Sequence, residues 1–247
     1  MASREEKILL GKVALVTGAS RGIGRAIAAA YASEGARVFI CGRNPTDVED
    51  ALREIRAGGG AIDGVSGDIS SASDVRRVVR TAIEQFGAID VLVNNASILG
   101  PRVSIAEYPI AAWEEVIRIN LTGQFLMTHE VLPIMLKRHS GSIINVTSGV
   151  GRVGKANWGA YAVAKAGLEG LTQVLAEEVK GAGIRVNAVN PAATRTHMRA
   201  QAYPTEDPMT LPTADAVVPI FLHLAADRSK EITGQSLNAR DWSGKIV

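Results

Sequence analysis

The sequence has few of the residues that usually indicate disulfide or metal chemistry. It contains one cysteine, Cys41, in 247 residues, so no disulfide can form within the chain and a reducing compartment is the natural interpretation. The four histidines lie far apart and have no cysteine partners at ligand-like spacing; they are His129, His139, His197 and His223. We therefore expect no metal site.

Charge of one sign and long apolar runs are also scarce. Lys and Arg number 27 against 25 Asp and Glu, a formal net charge of +2, and no long basic run is present. We therefore expect no nucleic-acid partner. The opening MASREEKILL has charges where a secretion signal needs an apolar core, and no later apolar run is long enough to span a bilayer. We expect no membrane association and a cytoplasmic location.

The sequence does have ample material for a core, because hydrophobic residues make up 47% of it. Short runs rich in Val and Ile, typical of strands covered on both faces, alternate with longer helix-like segments. The runs are KVALVTG, RVFICG, AIDGVSG, AIDVLVNNA, SIINVTS and IRVNAVNP. This alternation predicts an α/β fold: a single doubly wound Rossmann-type domain over residues 1–247, with a mostly parallel sheet and helices on both faces.

Short sequence patterns predict where some helices begin and where one of them bends. Thr46 and Glu49 are spaced as a capping box at the start of the second helix. A long helical region follows Ala111, and Pro133 is expected to kink it. Another helix is expected to contain residues 161–180.

The loop VTGASRGIGRA, after the first strand, is typical of a phosphate site. Gly18, Gly22 and Gly24 permit a tight turn and a close approach to a pyrophosphate, and the following helix begins with free N–H groups. The spacing is GxxxGxG rather than the GxGxxG fingerprint, and turn chemistry alone is the alternative. Ser20 and Ile23 lie in the same loop and are expected to contact the cofactor.

The end of the second strand indicates which dinucleotide is bound. An acidic residue there would hydrogen-bond the ribose hydroxyls of NAD. This chain has Arg43 instead, and Arg21 lies in the glycine-rich loop. Two guanidinium groups suit a 2′-phosphate through charge-assisted hydrogen bonds. NADP(H) is therefore favoured over NAD(H), with a solvated loop charge as the alternative interpretation of Arg43.

Together these motifs resemble the short-chain dehydrogenase/reductase family. The segments TGASRGIG, NNAS, Asn120, Ser148 and YAVAK occur in that family's order, with Ser148 13 residues before Tyr161. The resemblance runs from Lys12 to about Asn238 and is strongest to 3-oxoacyl-carrier-protein reductases and similar NADP-linked carbonyl reductases.

The resemblance implies an oxidoreductase that transfers hydride between NADP(H) and a carbonyl or secondary alcohol. A small carbonyl compound or a 3-oxoacyl thioester is the implied substrate. Two alternatives stay open: an NAD(P)-dependent alcohol or sugar dehydrogenase, and a non-catalytic NADP-binding sensor on the same fold.

The resemblance also assigns roles to four residues. Tyr161 and Lys165 are one helical turn apart, and Lys165 is expected to lower the phenol's pKa from about 10 so that Tyr161 can act as acid and base. Both should also contact the cofactor, Lys165 at the nicotinamide ribose. Ser148 should hydrogen-bond the substrate oxygen. Asn120 matches the family's asparagine that bends its helix and holds a water in a relay to the lysine.

Further cofactor contacts are implied by the resemblance in the loops after other strands. They involve Asp68, Ile69, Asn94, Ala96, Pro191, Thr194 and Thr196. Asp68 and Ile69 should contact the adenine, and Asn94 should also tie neighbouring strands together. Thr194 and Thr196 should approach the nicotinamide amide and the phosphates.

The chain departs from the family pattern at three places. Ser97 and Ala192 stand where the family usually has glycine, and a Cβ at Ala192 would crowd the cleft or oppose a positive φ. Residues 239–242 replace a common VDGG sequence in a region that packs subunits in the family. The resemblance implies a homotetramer.

The substrate side is the least regular part of the pattern. Residues 197–212 are rich in turn formers, and we expect a mobile substrate-covering loop there. Trp158 with residues 98–99 is expected to form the other wall, core packing being the alternative for Trp158. Lys137 and Arg138 would suit an acidic acyl carrier protein as partner, although a solvated helix end rich in Lys and Arg is the favoured explanation.

Overall fold

A seven-stranded sheet runs through the computed structural model, which describes residues 7–242. The strands are β1 Val13–Thr17, β2 Arg37–Gly42, β3 Ile62–Ser66, β4 Val91–Asn94, β5 Gly141–Val146, β6 Ile184–Asn190 and β7 Ser236–Asn238. Their order is β3-β2-β1-β4-β5-β6-β7, and all neighbours are parallel. The strand order reverses between β1 and β4, so a crevice opens beyond their carboxyl ends. The predicted Rossmann-type fold is confirmed.

The helices cover both faces of this sheet. They are α1 Gly22–Ser33, α2 Pro45–Ala57, α3 Ala72–Phe86, α4 Ile110–Ile117, α5 Gly123–Arg138, α6 Gly149–Arg152, α7 Gly159–Glu178, α8 His197–Ala202 and α9 Val218–Ala225. Helices α1, α2 and α9 pack on one face, and α3, α5 and α7 on the other. Alternate residues of β1 enter the two cores: Ala14 and Val16 the first, Leu15 the second. Burial on both faces explains why the strand runs are continuously apolar.

The edge strand β7 has no counterpart among the predicted runs. It has three residues, Ser236, Leu237 and Asn238, and is only partly buried. A strand that short, exposed at the edge, contains no hydrophobic pattern that could be recognised in the sequence.

The start of α2 differs from the sequence prediction. Asn44 caps the helix: its Oδ1 accepts a hydrogen bond from the Thr46 N–H at 2.9 Å, and Pro45 is the first helical residue. The predicted capping box of Thr46 and Glu49 is therefore wrong. Proline at the first helical position, preceded by asparagine, is the stronger start signal.

The long helical region after Ala111 is interrupted at a different place from the one predicted. The α-helical pattern of α5 continues through Pro133. The interruption lies between α4 and α5, where Arg118–Thr122 forms a π-helical turn. Such a wide turn inserts an extra residue into the helix and changes which side chains face inward.

From the sequence we expect neither a membrane-spanning segment nor a metal site in this chain, and the structure bears on both expectations over residues 7–242. Within that range no helix combines the length and apolarity needed to cross a bilayer. Nor do three His, Cys, Asp or Glu side chains of the same range cluster as metal ligands do. The stretch MASREE, on which part of the secretion-signal expectation rests, lies outside the described residues, as do residues 243–247.

Ala192 adopts the left-handed conformation in which glycine is usual. Its φ is +61°, and its N–H donates to Asn190 Oδ1 at 3.0 Å. The Thr194 hydroxyl donates to the Pro191 carbonyl at 3.2 Å, closing the same turn. The Cβ opposes this backbone but does not prevent it, because the surrounding hydrogen bonds hold the loop. An L-residue in this conformation costs about 1–2 kcal/mol.

We predict that Ala192→Gly stabilises the protein. Relief of the left-handed strain, about 1–2 kcal/mol, is partly offset by the greater freedom of glycine in the unfolded chain, about 0.4–1 kcal/mol. The free energy of unfolding should rise by about 0.5–1 kcal/mol, measured by urea denaturation at unchanged m. Ala193→Gly, at a residue without positive φ, is the matched control and should lower stability. Equal effects of the two substitutions would contradict the strain argument.

Candidate active site

The glycine-rich loop meets two other strand ends at the carboxyl edge of the sheet. Gly18 has φ +62°, and a Cβ there would lie 2.6 Å from the Ala96 Cα. Gly22 has φ +57°, and a Cβ there would lie 3.7 Å from Thr196 Cγ2. The loops after β4 and β6 therefore contact the loop after β1. Gly18 allows a backbone approach that no other residue would permit.

Two residues that the sequence analysis did not single out hold this loop. Asn95 Nδ2 donates to the carbonyls of Thr17 at 2.9 Å and Gly18 at 3.0 Å. Thr17 Oγ1 accepts from the N–H groups of Asn95 at 3.0 Å and Ala96 at 3.1 Å. The second asparagine of NNAS was the available signal, but its partners lie on a different strand and are not visible in local spacing.

The two segments that carry the arginines expected at the adenosine phosphate are in contact. Ser20 Oγ would be 3.1 Å from a Cβ placed on Gly42, so the glycine-rich loop abuts the end of β2. Arg21 and Arg43, which follow these two residues, are both exposed. Neither forms an ion pair with any residue of the described range 7–242. Both guanidinium groups are available to an anion.

The start of α1 is also available to an anion. Arg21 precedes the helix, and no side chain caps it. The first N–H groups of this 12-residue helix are therefore directed to the space beyond the glycine-rich loop. Ile23, in the first turn, packs against the core below.

Asp68 and Ile69 are held firmly after β3. Asp68 Oδ1 accepts hydrogen bonds from the N–H and hydroxyl of Ser70 at 2.9 and 2.7 Å. The Asp68 N–H donates to Asp74 Oδ2 at 2.9 Å, and this bond, aided by Arg77, lowers the pKa of Asp74. Ile69 is buried in the core. The carboxylate of Asp68 is therefore fixed in orientation at the cleft edge.

The side chain of Asn94 lies inside the sheet layer rather than on the cleft surface. It is fully buried, and its Nδ2 donates to Thr128 Oγ1 at 3.0 Å and Asn145 Oδ1 at 2.9 Å. Asn145 Nδ2 in turn donates to Thr172 Oγ1 at 2.9 Å. This chain of amides and hydroxyls ties β4 to β5, α5 and α7. Ala96, by contrast, faces the glycine-rich loop.

Ser97 introduces a polar atom where the family usually has glycine. Its Oγ is buried and has no hydrogen-bond partner within residues 7–242. A buried hydroxyl without a partner is unfavourable. Serine at position 97 therefore places an unpaired hydroxyl donor beside the cleft at a cost in stability.

Ser148, Tyr161 and Lys165 come together beyond the end of β5. Ser148 lies between β5 and α6, and Tyr161 lies in the first turn of α7. Lys165 is one turn further on, 1% exposed, with its Nζ 5.6 Å from the centroid of the Tyr161 ring. The Nζ donates a hydrogen bond to the Val146 carbonyl at 2.7 Å. The juxtaposition expected from the spacing is present.

Burial controls the protonation of this pair. It raises the pKa of Tyr161 to about 12, and a hydrogen bond with Ser148 acts in the opposite direction. Burial lowers the pKa of Lys165 from 10.5 to about 8. The expectation that Lys165 lowers the pKa of Tyr161 is not met in this structure. Desolvation of the phenolate outweighs its favourable neighbours, because neither side chain has much contact with water.

Asn120 lies in the π-helical turn and fastens the loop after β4. It is fully buried. Its Oδ1 accepts from the Ile98 N–H, and its Nδ2 donates to the Ile98 carbonyl, both at 2.8 Å. The helix distortion implied by the family resemblance is present at this residue. Both polar ends of the side chain are used for the loop.

The loop after β6 completes the cofactor side. Pro191 is buried, and Thr194 is buried with its hydroxyl bonded within the loop. Thr196 caps α8: its Oγ1 accepts from the Arg199 N–H at 3.1 Å. The hydroxyl proton of Thr196 is not used by that bond.

The segment 197–212 is more regular than expected. It contains helix α8 and a 3-10 turn at Pro208–Thr210. Arg199 binds both carboxylate oxygens of Glu206 at 2.6 Å. Paired charges and a capped helix therefore organise its first half, and its role as a substrate-covering loop stays a prediction.

Trp158 has the packing role that was the alternative for it, and its role as a wall of the substrate site stays a prediction. It is buried, and its ring centroid lies 5.5 Å from that of Tyr161 and 6.1 Å from that of Tyr203. It therefore packs in a small core of its own and joins Tyr161 to the segment 197–212. Residues 98–99 pack against the same cluster.

Comparison with known proteins identifies the family. A family model described as short chain dehydrogenase matches residues 12–207. The chain belongs to the short chain dehydrogenase family. The resemblance inferred from the motifs is confirmed, and the protein is an oxidoreductase of that family.

Three relatives illustrate how far the similarity extends. The oxidoreductase YciK of Escherichia coli K12 is 36% identical over 242 residues, covering 96% of this chain and 94% of its own. A 3-oxoacyl-[acyl-carrier-protein] reductase of Thermotoga maritima is 36% identical over 236 residues, covering 92% and 95%. A crystal structure of a Shigella flexneri short chain dehydrogenase complexed with NADP superposes with a TM-score of 0.91 at 37% identity, covering 96% and 100%.

We predict that removing the buried charge of Lys165 stabilises this short chain dehydrogenase. The folded pKa of about 8 lies below the ordinary 10.5, so the burial penalty is full below pH 8 and fades as the pH rises towards 10.5. The shift corresponds to about 3 kcal/mol, less about 1 kcal/mol for the lost bond to Val146. Lys165→Met should raise the free energy of unfolding by about 2 kcal/mol at pH 7 and by less than about 1 kcal/mol at pH 9.5.

Urea denaturation at the two pH values measures this difference. Lys180→Met, at an exposed lysine just beyond α7, is the control and should show no such pH dependence. A Lys165→Met protein less stable than the parent at pH 7 would contradict the burial argument.

Proposed function

We propose that this short chain dehydrogenase reduces a carbonyl group to a secondary alcohol with NADPH. The observation that carries the proposal is the meeting of Ser148, Tyr161 and Lys165 at the carboxyl edge of the parallel sheet, the edge at which the glycine-rich loop also lies. The reverse oxidation uses the same residues. The relative crystallised with NADP supports the choice of cofactor.

The residues around the crevice fit the dinucleotide. The uncapped start of α1 suits the pyrophosphate. Gly18, whose close approach to Ala96 no side chain would permit, shapes the loop that precedes α1. Arg21 and Arg43 suit the 2′-phosphate that distinguishes NADP from NAD. Asp68 and Thr196 lie at the two ends of the same edge. NADPH, when bound, supplies the hydride to the carbonyl carbon.

The catalytic steps of this chain concern the proton. Tyr161 donates the phenolic proton to the carbonyl oxygen as negative charge develops there, and Ser148 donates a hydrogen bond to the same oxygen. With its pKa at about 12, Tyr161 is protonated at neutral pH, which is the state required for reduction. Lys165, an ammonium at neutral pH with its pKa at about 8, would pass a proton to the phenolate that remains and regain one from solvent. Asn120 holds the loop beneath the site, and a water relay from it to Lys165 is part of the proposal.

The substrate class proposed from the relatives is a ketone, an aldehyde or a 3-oxoacyl thioester. The reductase of Thermotoga maritima supports the thioester. An acyl carrier protein is a candidate partner on the same ground. Arg138 does not argue for it, because it is paired with Asp90 at 3.0 Å; Lys137 is exposed.

Assembly and location complete the proposal. A homotetramer is supported by exposed apolar side chains on the long helices, Phe125 on α5 with Val163 and Val174 on α7. A cytoplasmic location is supported by the unpaired, buried Cys41.

We predict that Tyr161→Phe lowers kcat by about 10²–10⁴-fold, because the proton donor is removed. NADPH binding, followed by fluorescence, should change little. The assay is the loss of reduced-nicotinamide absorbance across a panel of ketones, aldehydes and acyl thioesters. Tyr31→Phe is the control: its hydroxyl binds the Phe221 carbonyl in the core, away from the cleft. Tight NADPH binding without turnover of any carbonyl by the parent would favour the sensor alternative.

We predict that Arg43→Ala weakens NADPH binding by about 10-fold or more, because a charge-assisted bond to the 2′-phosphate is lost. NADH, which lacks that phosphate, should be affected less than about 3-fold. Titration of both nucleotides measures the difference. Arg53→Ala, at an exposed arginine of α2 paired with Asp50, should change neither. Equal losses for the two nucleotides would show that Arg43 makes no contact with the phosphate.

A further inference from the structure

An arginine lies in the aromatic wall beside Tyr161. The Arg102 Cζ is 4.5 Å from the centroid of the Trp158 ring and 4.8 Å from that of Tyr203. Trp158 in turn contacts Tyr161, with ring centroids 5.5 Å apart. Trp158 therefore contacts both the guanidinium of Arg102 and the ring of the tyrosine that donates the proton. Neither the motifs nor the family pattern draws attention to this residue.

The positive charge of Arg102 is not neutralised by the protein. One Nη donates to the Ala202 carbonyl. The Nε is buried and has no hydrogen-bond partner within residues 7–242. No Asp or Glu of that range forms an ion pair with it, whereas nearby Arg199 is held by Glu206. A half-buried guanidinium without a counter-ion is unfavourable unless a ligand provides one.

Apolar side chains make up much of the wall that contains Tyr161. The buried cluster there consists of Val116, Val150, Trp158, Ala160, Tyr161 and Ala202, and the paired Arg199 lies over the Tyr203 ring. Small-molecule sites are typically apolar walls with a few polar groups that fix the orientation of the ligand. In this wall Ser148 and Tyr161 would fix the carbonyl end, and Arg102 is the charged group beside Trp158 that has no counter-ion within residues 7–242.

We propose that Arg102 binds an anionic group of the substrate and thereby determines specificity. The preferred substrate is an aryl or alkyl carbonyl compound that carries a carboxylate or phosphate several bonds from the carbonyl. The inference rests on the proposed function, because Tyr161 and Ser148 must hold the carbonyl. The anion is placed several bonds from the carbonyl because the guanidinium of Arg102 contacts Trp158 and Tyr203, while Tyr161 meets Trp158 through ring-to-ring packing.

The test compares 5-oxo-5-phenylpentanoate with its methyl ester, which differ only in the charge at the far end. The parent enzyme should have a kcat/KM about 10-fold or more higher for the acid, the usual effect of a hydrogen bond to a charged group. Arg102→Met should remove this preference and leave the ester within about 3-fold of the parent. Arg102→Lys should retain part of it, because an ammonium keeps the charge but not the planar fork.

The matched control is Arg37→Met. Arg37 also lies over an aromatic ring, with its Cζ 5.7 Å from the Phe86 centroid, but at the amino end of β2. It should leave both substrates unchanged. An equal loss for acid and ester in Arg102→Met overturns the proposal and makes Arg102 a packing residue of the wall. The same conclusion follows if the parent prefers neither the acid over the ester nor the coenzyme A thioester over its phosphate-free counterpart.

Phosphate groups of a thioester arm are a second source of the same anionic chemistry. Acetoacetyl-coenzyme A and the acetoacetyl thioester of N-acetylcysteamine, which lacks phosphate, separate the two. A preference for the coenzyme A thioester that Arg102→Met abolishes supports anion binding and assigns it to the arm. A preference that survives Arg102→Met excludes this source, and the carboxylate comparison then decides.

A binding experiment separates this inference from the proposed function. Calorimetry with 5-phenylpentanoate, which has no carbonyl to reduce, measures binding of the anion to the NADPH-loaded protein without turnover. Arg102→Met should weaken binding by about 10-fold, and thermal denaturation should show that the variant is folded. If no carbonyl compound is reduced, the proposed function fails while this titration still decides on Arg102. Equal affinities of the parent and Arg102→Met overturn the inference.

Discussion

The hydrogen bond from Lys165 Nζ to the Val146 carbonyl joins helix α7 to the end of strand β5. It is 2.7 Å long and lies where the lysine is 1% exposed. Because Tyr161 precedes Lys165 by one turn of the same helix, this bond also sets the position of the phenol relative to the strand end. Ser148 lies two residues after the end of β5, just before α6. The candidate site is thus assembled from a strand and a helix, which hold side chains more accurately than loops do.

Burial gives this arrangement its chemistry. The same exclusion of water that lowers the pKa of Lys165 raises that of Tyr161, so the phenol keeps its proton at neutral pH. The amide and hydroxyl chain from Asn94 through Asn145 to Thr172 supports α7 from inside the sheet. The network connects these elements through directional bonds, although the Asn94 Oδ1 has no hydrogen-bond partner within residues 7–242. The protonation states of Tyr161 and Lys165 and the position of α7 against the sheet therefore both depend on the exclusion of water from this part of the protein.

Much of the fold could be predicted, since its signals are local. Continuous runs of Val and Ile revealed six of the seven strands, and the alternation with helices indicated the parallel sheet. The exceptions follow from competing local or tertiary effects. Asn44 with Pro45 outweighs the capping box at Thr46, and the edge strand β7 is too short to show a pattern. Thr17 and Asn95 were missed because each acts on a neighbouring strand rather than on its own segment.

The sequence alone was enough to name Ser148, Tyr161 and Lys165 as candidate catalytic residues. Their motif order and their spacing along one strand end and one helix are local properties of the chain. The tertiary structure decided which distant side chains meet and how much water reaches them. It turned the pKa of Tyr161 upward rather than downward, and it placed Arg102 against Trp158 and Tyr203. Desolvation and long-range contacts depend on the packing of the whole chain, so neither can be inferred from the spacing of residues within a segment.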